Sequence, residues 1–255
     1  MTELKAERIN KYLAQAGICS RRQADVLIEQ GKVLINGQIA QNGMKVSPGD
    51  KVELVGGKEQ KAKKEIKGSA EKVLLAFYKP IGVTCTEKDK FADKKVLDYV
   101  KTKTRVTYAG RLDKESEGLM LLTNDGDLIQ RMMRGSEAHE KEYVVKVNKE
   151  LTEEFIHNMG NGVYLEELKR TTKPCPVIME GKYTFRIVLT QGMNRQIRRM
   201  CETFGYKVKA LKRVRIMNVE IGNLKSGESR VLTQQECVRL YRAVGMQVPG
   251  EFLKW

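Results

Sequence analysis

Arg111 and Asp113 stand two residues apart in the tetrad GRLD, at the head of an apolar run that closes with LMLLTNDGD. In an extended segment that spacing puts both side chains on one face and turns Leu112 the other way, toward a core. Gly110 permits a close turn just before them. A guanidinium beside a carboxylate keeps the carboxylate ionised. An ionised aspartate in a groove otherwise lined by lysine and arginine is a candidate nucleophile or general base acting on a nucleic acid. The same residue could instead cap a strand and pair with Arg111, and the tetrad alone leaves both roles open.

The chain supplies the charge such a groove would need. Of 255 residues, 47 are Lys or Arg and 32 are Asp or Glu, a formal charge of +15 spread along the whole length. That favours a polyanionic partner, nucleic acid before membrane. No apolar stretch approaches the roughly 20 residues of a spanning helix, and MTELKAERINKYL has no signal-peptide core, so a cytoplasmic protein without a membrane partner is expected. The five cysteines (Cys19, Cys85, Cys175, Cys201 and Cys237) are scattered, with no C-x-x-C pair and only His139 and His157 to help them. Reduced thiols, no zinc and no cofactor are expected. Phosphate-cradling glycine loops and the zinc-hydrolase H-E-x-x-H are missing from the sequence. The DGD at Asp125–Asp127 reads as a turn followed by an Asp127 N-cap, and Ser116 lacks the flanks of a nucleophilic serine.

These residues must be positioned by two different kinds of segment. Residues 1–56 read as a small ααβββ module. Ile9, Tyr12, Leu13 and Ala16 form one helical stripe, Ser20 and Gln23 a capping box for a second helix, Asn36-Gly37 a hairpin, and KVELV a strand. Arg21, Arg22 and Lys32 lie away from the apolar stripe, as solvated surface or as phosphate contacts. Residues 57–72, Gly- and Lys-rich, read as a charged flexible linker. Residues 73–245 alternate β-rich stretches (KVLLAFYKP, EYVVKV, TFRIVLT, YKVKALKRVRI, RVLT) with stretches of helical spacing (LIQRMMRG, TEEFIHNMG, NRQIRRMCETFG, QQECVRLYRAVG). The class expected is α+β with a mainly antiparallel sheet, and residues 246–255 form a tail. In NRQIRRMCETFG, Ile197, Met200, Cys201 and Phe204 make an apolar stripe. Arg195 and Arg199 project opposite it, and Arg198 lies at its margin, best placed to reach a cleft.

RINKYLAQAGICSRRQADVLIEQGKVLINGQ resembles the S4 RNA-binding domain. YAGRLDKESEGLMLLTNDGDL resembles the central motif of one family of ribosomal RNA pseudouridine synthases, which comprises synthase A of the small ribosomal subunit and synthases B, E and F of the large one. KPIGVTCT upstream is similar to their first motif, KEYVVKV to the strand bearing their active-site tyrosine, and QGMNRQIRRMCETFGYKVKALKRVRI to their third motif. Within that family the combination looks most like the large-subunit synthase F branch.

The resemblance implies that Asp113, Tyr143 and Arg198 form the catalytic set. Asp113 would be the nucleophile, Tyr143 would stack on the target uracil and assist proton handling, and Arg198 would bind the carboxylate. It implies RNA contacts at Arg111, Arg21, Arg22, Lys32, Arg195, Arg199, Lys207 and Lys209. The substrate implied is a uridine in a stem-loop of 23S ribosomal RNA, with an anticodon-arm uridine of tRNA as a second target, handled by a monomer. A non-catalytic ribosome-assembly protein and an RNA base glycosylase are the readings from other classes.

Overall fold

The computed structural model describes residues 6–56, 62–66, 70–86, 93–134 and 139–253. The chain divides into two compact units, Met1–Lys72 with Thr102–Val106 and Asn124–Gly126, and Val73–Lys101 with Thr107–Thr123 and Asp127–Trp255.

The first unit runs β1 (Glu7–Arg8), α1 (Ile9–Gln15), α2 (Arg21–Glu29), β2 (Val33–Ile35), β3 (Gln38–Ile39), β4 (Lys45–Val46), β5 (Val52–Gly56) and β6 (Ala62–Glu65). The capping box forms as its spacing predicts: the Gln23 amide N–H donates to Ser20 Oγ at 3.2 Å, and the Ser20 amide N–H donates to Gln23 Oε1 at 2.9 Å. Asn36 and Gly37 both take left-handed φ, 51° and 82°, as a two-residue hairpin between right-twisted strands requires. Ile9, Leu13, Ala24, Ile28, Val33 and Val52 close a core between the helices and the β3-β2-β5-β6 sheet.

The supposed linker is not one throughout. Ala62–Glu65 pairs antiparallel with β5, and Ile66 packs into the core at 5% exposure. A lysine-rich stretch can form this strand because it lies at the sheet edge, where Lys64 and Glu65 are exposed and such charges discourage further pairing. The rest of the 57–72 reading falls on residues 57–61 and 67–69, outside those described, and on Ala70–Lys72.

The second unit holds β7 (Leu74–Lys79), β8 (Thr107–Ala109), β9 (Glu117–Thr123), α3 (Gly126–Met132), β10 (Lys141–Val147), α4 (Glu153–Gly160), β11 (Tyr164–Leu165), β12 (Arg170–Thr171), β13 (Val177–Gly181), β14 (Thr184–Leu189), α5 (Gln196–Thr203), β15 (Val208–Ile216), β16 (Val219–Glu220), β17 (Ser229–Val231) and α6 (Gln234–Ala243). Every β-rich stretch and every helical stretch read in the sequence is present. The apolar run after GRLD adds the strand β9, and its helix starts at Gly126, so that Asp127 sits in the first turn instead of at the N-cap. The tail is packed: Met246, Val248 and Phe252 rest on the core, and the Phe252 ring lies 5.9 Å from that of Tyr241.

The main sheet runs β13-β14-β10-β15-β9-β7-β17, antiparallel except where β15 and β9 run the same way. That junction separates two cores. On one side β7 and β9 are buried on both faces and read as near-continuous apolar runs, packed with Leu128, Leu240 and Tyr241. On the other, β10 and β14 alternate, and Val145, Val147, Phe185 and Ile187 meet Phe155, Ile197, Met200 and Cys201.

The parallel contact is short, with Lys212 opposite Glu117 and Arg213 opposite Gly118. Gly118 has φ +109°, and a Cβ built there would sit 2.2 Å from the Arg213 carbonyl oxygen and 2.7 Å from its amide nitrogen. Only a residue without a side chain fits, since both obstacles are backbone. Gly118→Ala should therefore lower unfolding stability by at least about 2 kcal/mol. Gly126→Ala, whose Cβ would meet nothing within 4 Å, should leave it nearly unchanged. Urea unfolding curves of the two variants check this, and parent-like midpoints for both would mean that β9 and β15 can move apart freely.

Candidate active site

Asp113 enters the structure between β8 and β9. Gly110, at φ +85°, turns the chain, and Leu112 anchors it in the core at 8% exposure. The Asp113 carbonyl then accepts the Ser116 amide N–H at 3.1 Å, closing a turn directly before β9. Asp113 is thus a turn residue through its main chain, which leaves its side chain available.

A residue that the sequence did not single out fixes this turn. Lys79, at the end of β7, is fully buried. Its Nζ donates to the carbonyls of Ser116 at 2.6 Å, Pro80 at 2.8 Å and Lys114 at 3.4 Å. The three ammonium protons are thereby spent on backbone carbonyls of the turn and its approach. Burial pushes the Lys79 pKa down to about 8, against the opposing pull of nearby Cys85, Asp113 and Glu117. A lysine closing a strand of otherwise apolar residues was the available signal, and polarity alone suggested a solvated strand end.

Arg198 holds the same turn from the other side. It is 8% exposed, and its Nη2 donates to the Glu115 carbonyl at 3.2 Å and to Ser116 Oγ at 3.3 Å. Its salt bridge, at 4.0 Å, is with Glu115. The expectation of a direct ion pair with Asp113 is corrected accordingly: neither Arg198 nor Arg111 pairs with that carboxylate, because Arg198 meets the chain two and three residues further along. Ser116, 1% exposed, is polar core and receives this guanidinium.

The turn opens on a cavity of about 550 Å³. Asp113 is the one carboxylate among its described lining residues, which include Arg111, Lys114, Lys141, Arg195, Arg198 and Arg213. Tyr143 lines it from β10, half-buried, directly opposite Arg213 on β15. A bulge makes that pairing: Glu142 faces Arg215 but Tyr143 faces Arg213, so Val214 is skipped. Arg213 was missed in the sequence because Lys212 beside it and Arg215 two residues on make KRVR look like a solvated face.

The other basic residues separate. Arg195 adopts a left-handed φ of 51° ahead of α5 and donates from Nη1 to Glu115 Oε2 at 3.3 Å, still lining the cavity. Arg199 faces away and pairs with Glu167, beside a smaller depression that Glu166 and Glu202 also line. The shared face expected for Arg195 and Arg199 fails because the helix begins only at Gln196, so helical spacing does not extend to Arg195. Lys207 and Lys209 are exposed and outside the cavity. Arg21, Arg22 and Lys32 are exposed on the first unit.

Among the described residues no helix is long and apolar enough to cross a membrane. All five cysteines are free thiols.

Comparison with known proteins identifies the family. Residues 73–203 match the family model for RNA pseudouridylate synthase and residues 7–52 that for the S4 domain. The chain is 48% identical over 237 residues to the dual-specificity RNA pseudouridine synthase RluF of Escherichia coli O6:H1, covering 93% of this chain and 79% of that protein. It is 36% identical to ribosomal large subunit pseudouridine synthase B of Bacillus subtilis, covering 92% and 95%. Among solved structures, a pseudouridylate synthase superposes with a TM-score of 0.66 at 28% identity, over 92% of this chain and 99% of that one. With a lone carboxylate facing a cationic cavity in its larger unit and an S4 domain in its smaller one, the chain belongs to the RNA pseudouridylate synthase family.

Proposed function

We propose that this synthase isomerises a uridine in a stem-loop of 23S ribosomal RNA, takes an anticodon-arm uridine of tRNA as a second substrate, and uses Asp113 as its nucleophile. The observation that carries the assignment is the isolation of Asp113: among the described lining residues it is a single carboxylate, unpaired, in a cavity lined by cations. The relatives named above, one for dual specificity and one for the large ribosomal subunit, support the choice of substrate.

A uracil inside a duplex is out of reach, so the target nucleotide must be flipped into the cavity, whose size suits one nucleoside. Exposed Arg111 stands at the mouth, where it can take the place the base leaves and contact phosphate. Tyr143 offers a ring for the uracil to stack on. Asp113 promotes cleavage of the C1′–N1 bond, by attack on C1′ or on the uracil ring. The detached base turns and rejoins through C5, and the C5 hydrogen leaves as a proton. Arg198 and Lys79 act as positioning residues, holding the Asp113 turn.

The first unit supplies affinity. Arg21 and Arg22 open α2, whose first turn has no acidic residue. Cations there oppose the helix dipole, a cost of about 0.3–1 kcal/mol each that phosphate contact would reverse.

Asp113→Asn keeps side-chain volume and the backbone turn while removing charge and nucleophilicity. Pseudouridine formation should vanish in single-turnover assays with enzyme in excess, while RNA affinity stays within about tenfold, roughly 1.4 kcal/mol. Measurable product from the well-folded variant would sink the role given to Asp113. A second expected outcome concerns the guanidinium fork of Arg198. Arg198→Lys should lower the single-turnover rate by about a hundredfold, because the lysine ammonium, on a shorter side chain without the planar guanidinium, does not reach the place from which Nη2 meets the Glu115 carbonyl and Ser116 Oγ. Arg199→Lys should stay within about threefold of the parent. Equal losses would contradict the assignment of Arg198 alone to the turn.

A further inference from the structure

Three buried N–H donors that line this one cavity have no hydrogen-bond partner among the described residues: Nη2 of Arg213, Nε of Arg198 and Nε2 of Gln191. Buried donors are almost always satisfied, and a buried guanidinium without a carboxylate is costly to hold. Arg213 is 3% exposed and fixed in place, since its Nε donates to the Leu119 carbonyl at 2.7 Å. Its free edge is therefore preorganised for an acceptor that the protein itself does not provide.

Depth and direction identify that acceptor. RNA phosphates stay at the surface, where Arg111 and Lys114 are exposed, whereas Arg213 and Arg198 are more than nine-tenths buried. The part of a flipped nucleotide that reaches deepest is its base. Arg213 lies directly opposite Tyr143 on the neighbouring strand, so both side chains emerge on one face of the sheet, and a uracil stacked on that ring lies beside the guanidinium. Uracil presents two carbonyl oxygens.

We propose that Arg213, with Arg198 Nε and Gln191, forms a cradle for the uracil carbonyls in which Arg213 stabilises the negative charge of the detached base. The proposal rests on the synthase reading above and names a further catalytic residue for it. When the C1′–N1 bond breaks, its electron pair goes to N1, and uracil leaves as an anion with charge spread over the ring nitrogens and both carbonyl oxygens. C5 then forms its bond to C1′, N1 takes up a proton and C5 loses one, so no charge remains on the product base. A donor fixed beside the carbonyls acts mainly while that charge exists.

The test compares two leaving groups in one RNA: a large-subunit stem-loop that the parent modifies, synthesised with uridine or 5-fluorouridine at the target. Fluorine stabilises the departing anion, so a protein that has lost its own stabiliser gains more from it. In the full-length Arg213→Gln protein, single-turnover glycosidic cleavage of the uridine RNA should fall about 10²- to 10³-fold. RNA affinity should stay within about threefold, and the loss on 5-fluorouridine RNA should shrink to about tenfold. A structural role through the Leu119 hydrogen bond would slow both substrates alike, and equal losses would overturn the proposal. Should Arg213→Gln not fold, Gln191→Leu decides by the same comparison, with a smaller loss that again contracts on 5-fluorouridine. A parent protein that makes no pseudouridine would instead refute the synthase reading and is recognised before any variant is assayed.

Discussion

The active site depends on how closely two strands running in the same direction can approach. Gly118 on β9 and Arg213 on β15 meet backbone to backbone, in the one place where the main sheet departs from antiparallel pairing. Because Gly118 has no side chain, the two halves of the sheet close there. That closure places the Asp113 turn, which leads into β9, against Tyr143 on β10 and Arg213 on β15. Two separate apolar cores, one on each side of the junction, make both halves rigid. The cavity lies where they meet, and it inherits a carboxylate from one half and most of its cations from the other.

Charge inside that cavity is arranged by cations that do not pair with the Asp113 carboxylate. Lys79 spends its protons on three carbonyls, and Arg198 spends one nitrogen on the Glu115 carbonyl and Ser116 Oγ. Both hold the main chain on either side of the turn and leave the Asp113 carboxylate without an ion pair among the described residues. An unpaired carboxylate is a stronger nucleophile than one locked in a bidentate bridge. The turn is supported without engaging the Asp113 carboxylate, the reverse of the pairing with Arg198 expected from the sequence.

Much of the architecture was legible because local rules and tertiary context agreed. The Ser20–Gln23 box, the Asn36-Gly37 hairpin and the stripe of Ile197, Met200 and Cys201 appear as their spacing requires. Legibility failed where one residue answers to a distant partner. The stretch around Ala62–Glu65 is polar by composition and a strand only because β5 offers an edge. Lys79 and Arg213 look solvated in sequence and are buried because carbonyls from β9 and its approach reach them. Arg195 escapes helical periodicity through a left-handed backbone that the sequence does not announce. Asp113 was singled out by the GRLD tetrad and by the family resemblance of the motif around it, because in a chain with 32 Asp and Glu composition alone does not mark it.

The most direct measurement of the central claim is tritium release from RNA carrying uridine labelled at C5. An isomerase that detaches uracil and rejoins it through C5 must expel that atom, so tritium should appear in water in equal amount to pseudouridine, one per target site, and the RNA should keep its length and all its bases. Free uracil with an abasic site and retained label would identify a glycosylase. Tight binding with no release would identify a non-catalytic RNA-binding protein. Either result would contradict the reaction assigned to Asp113.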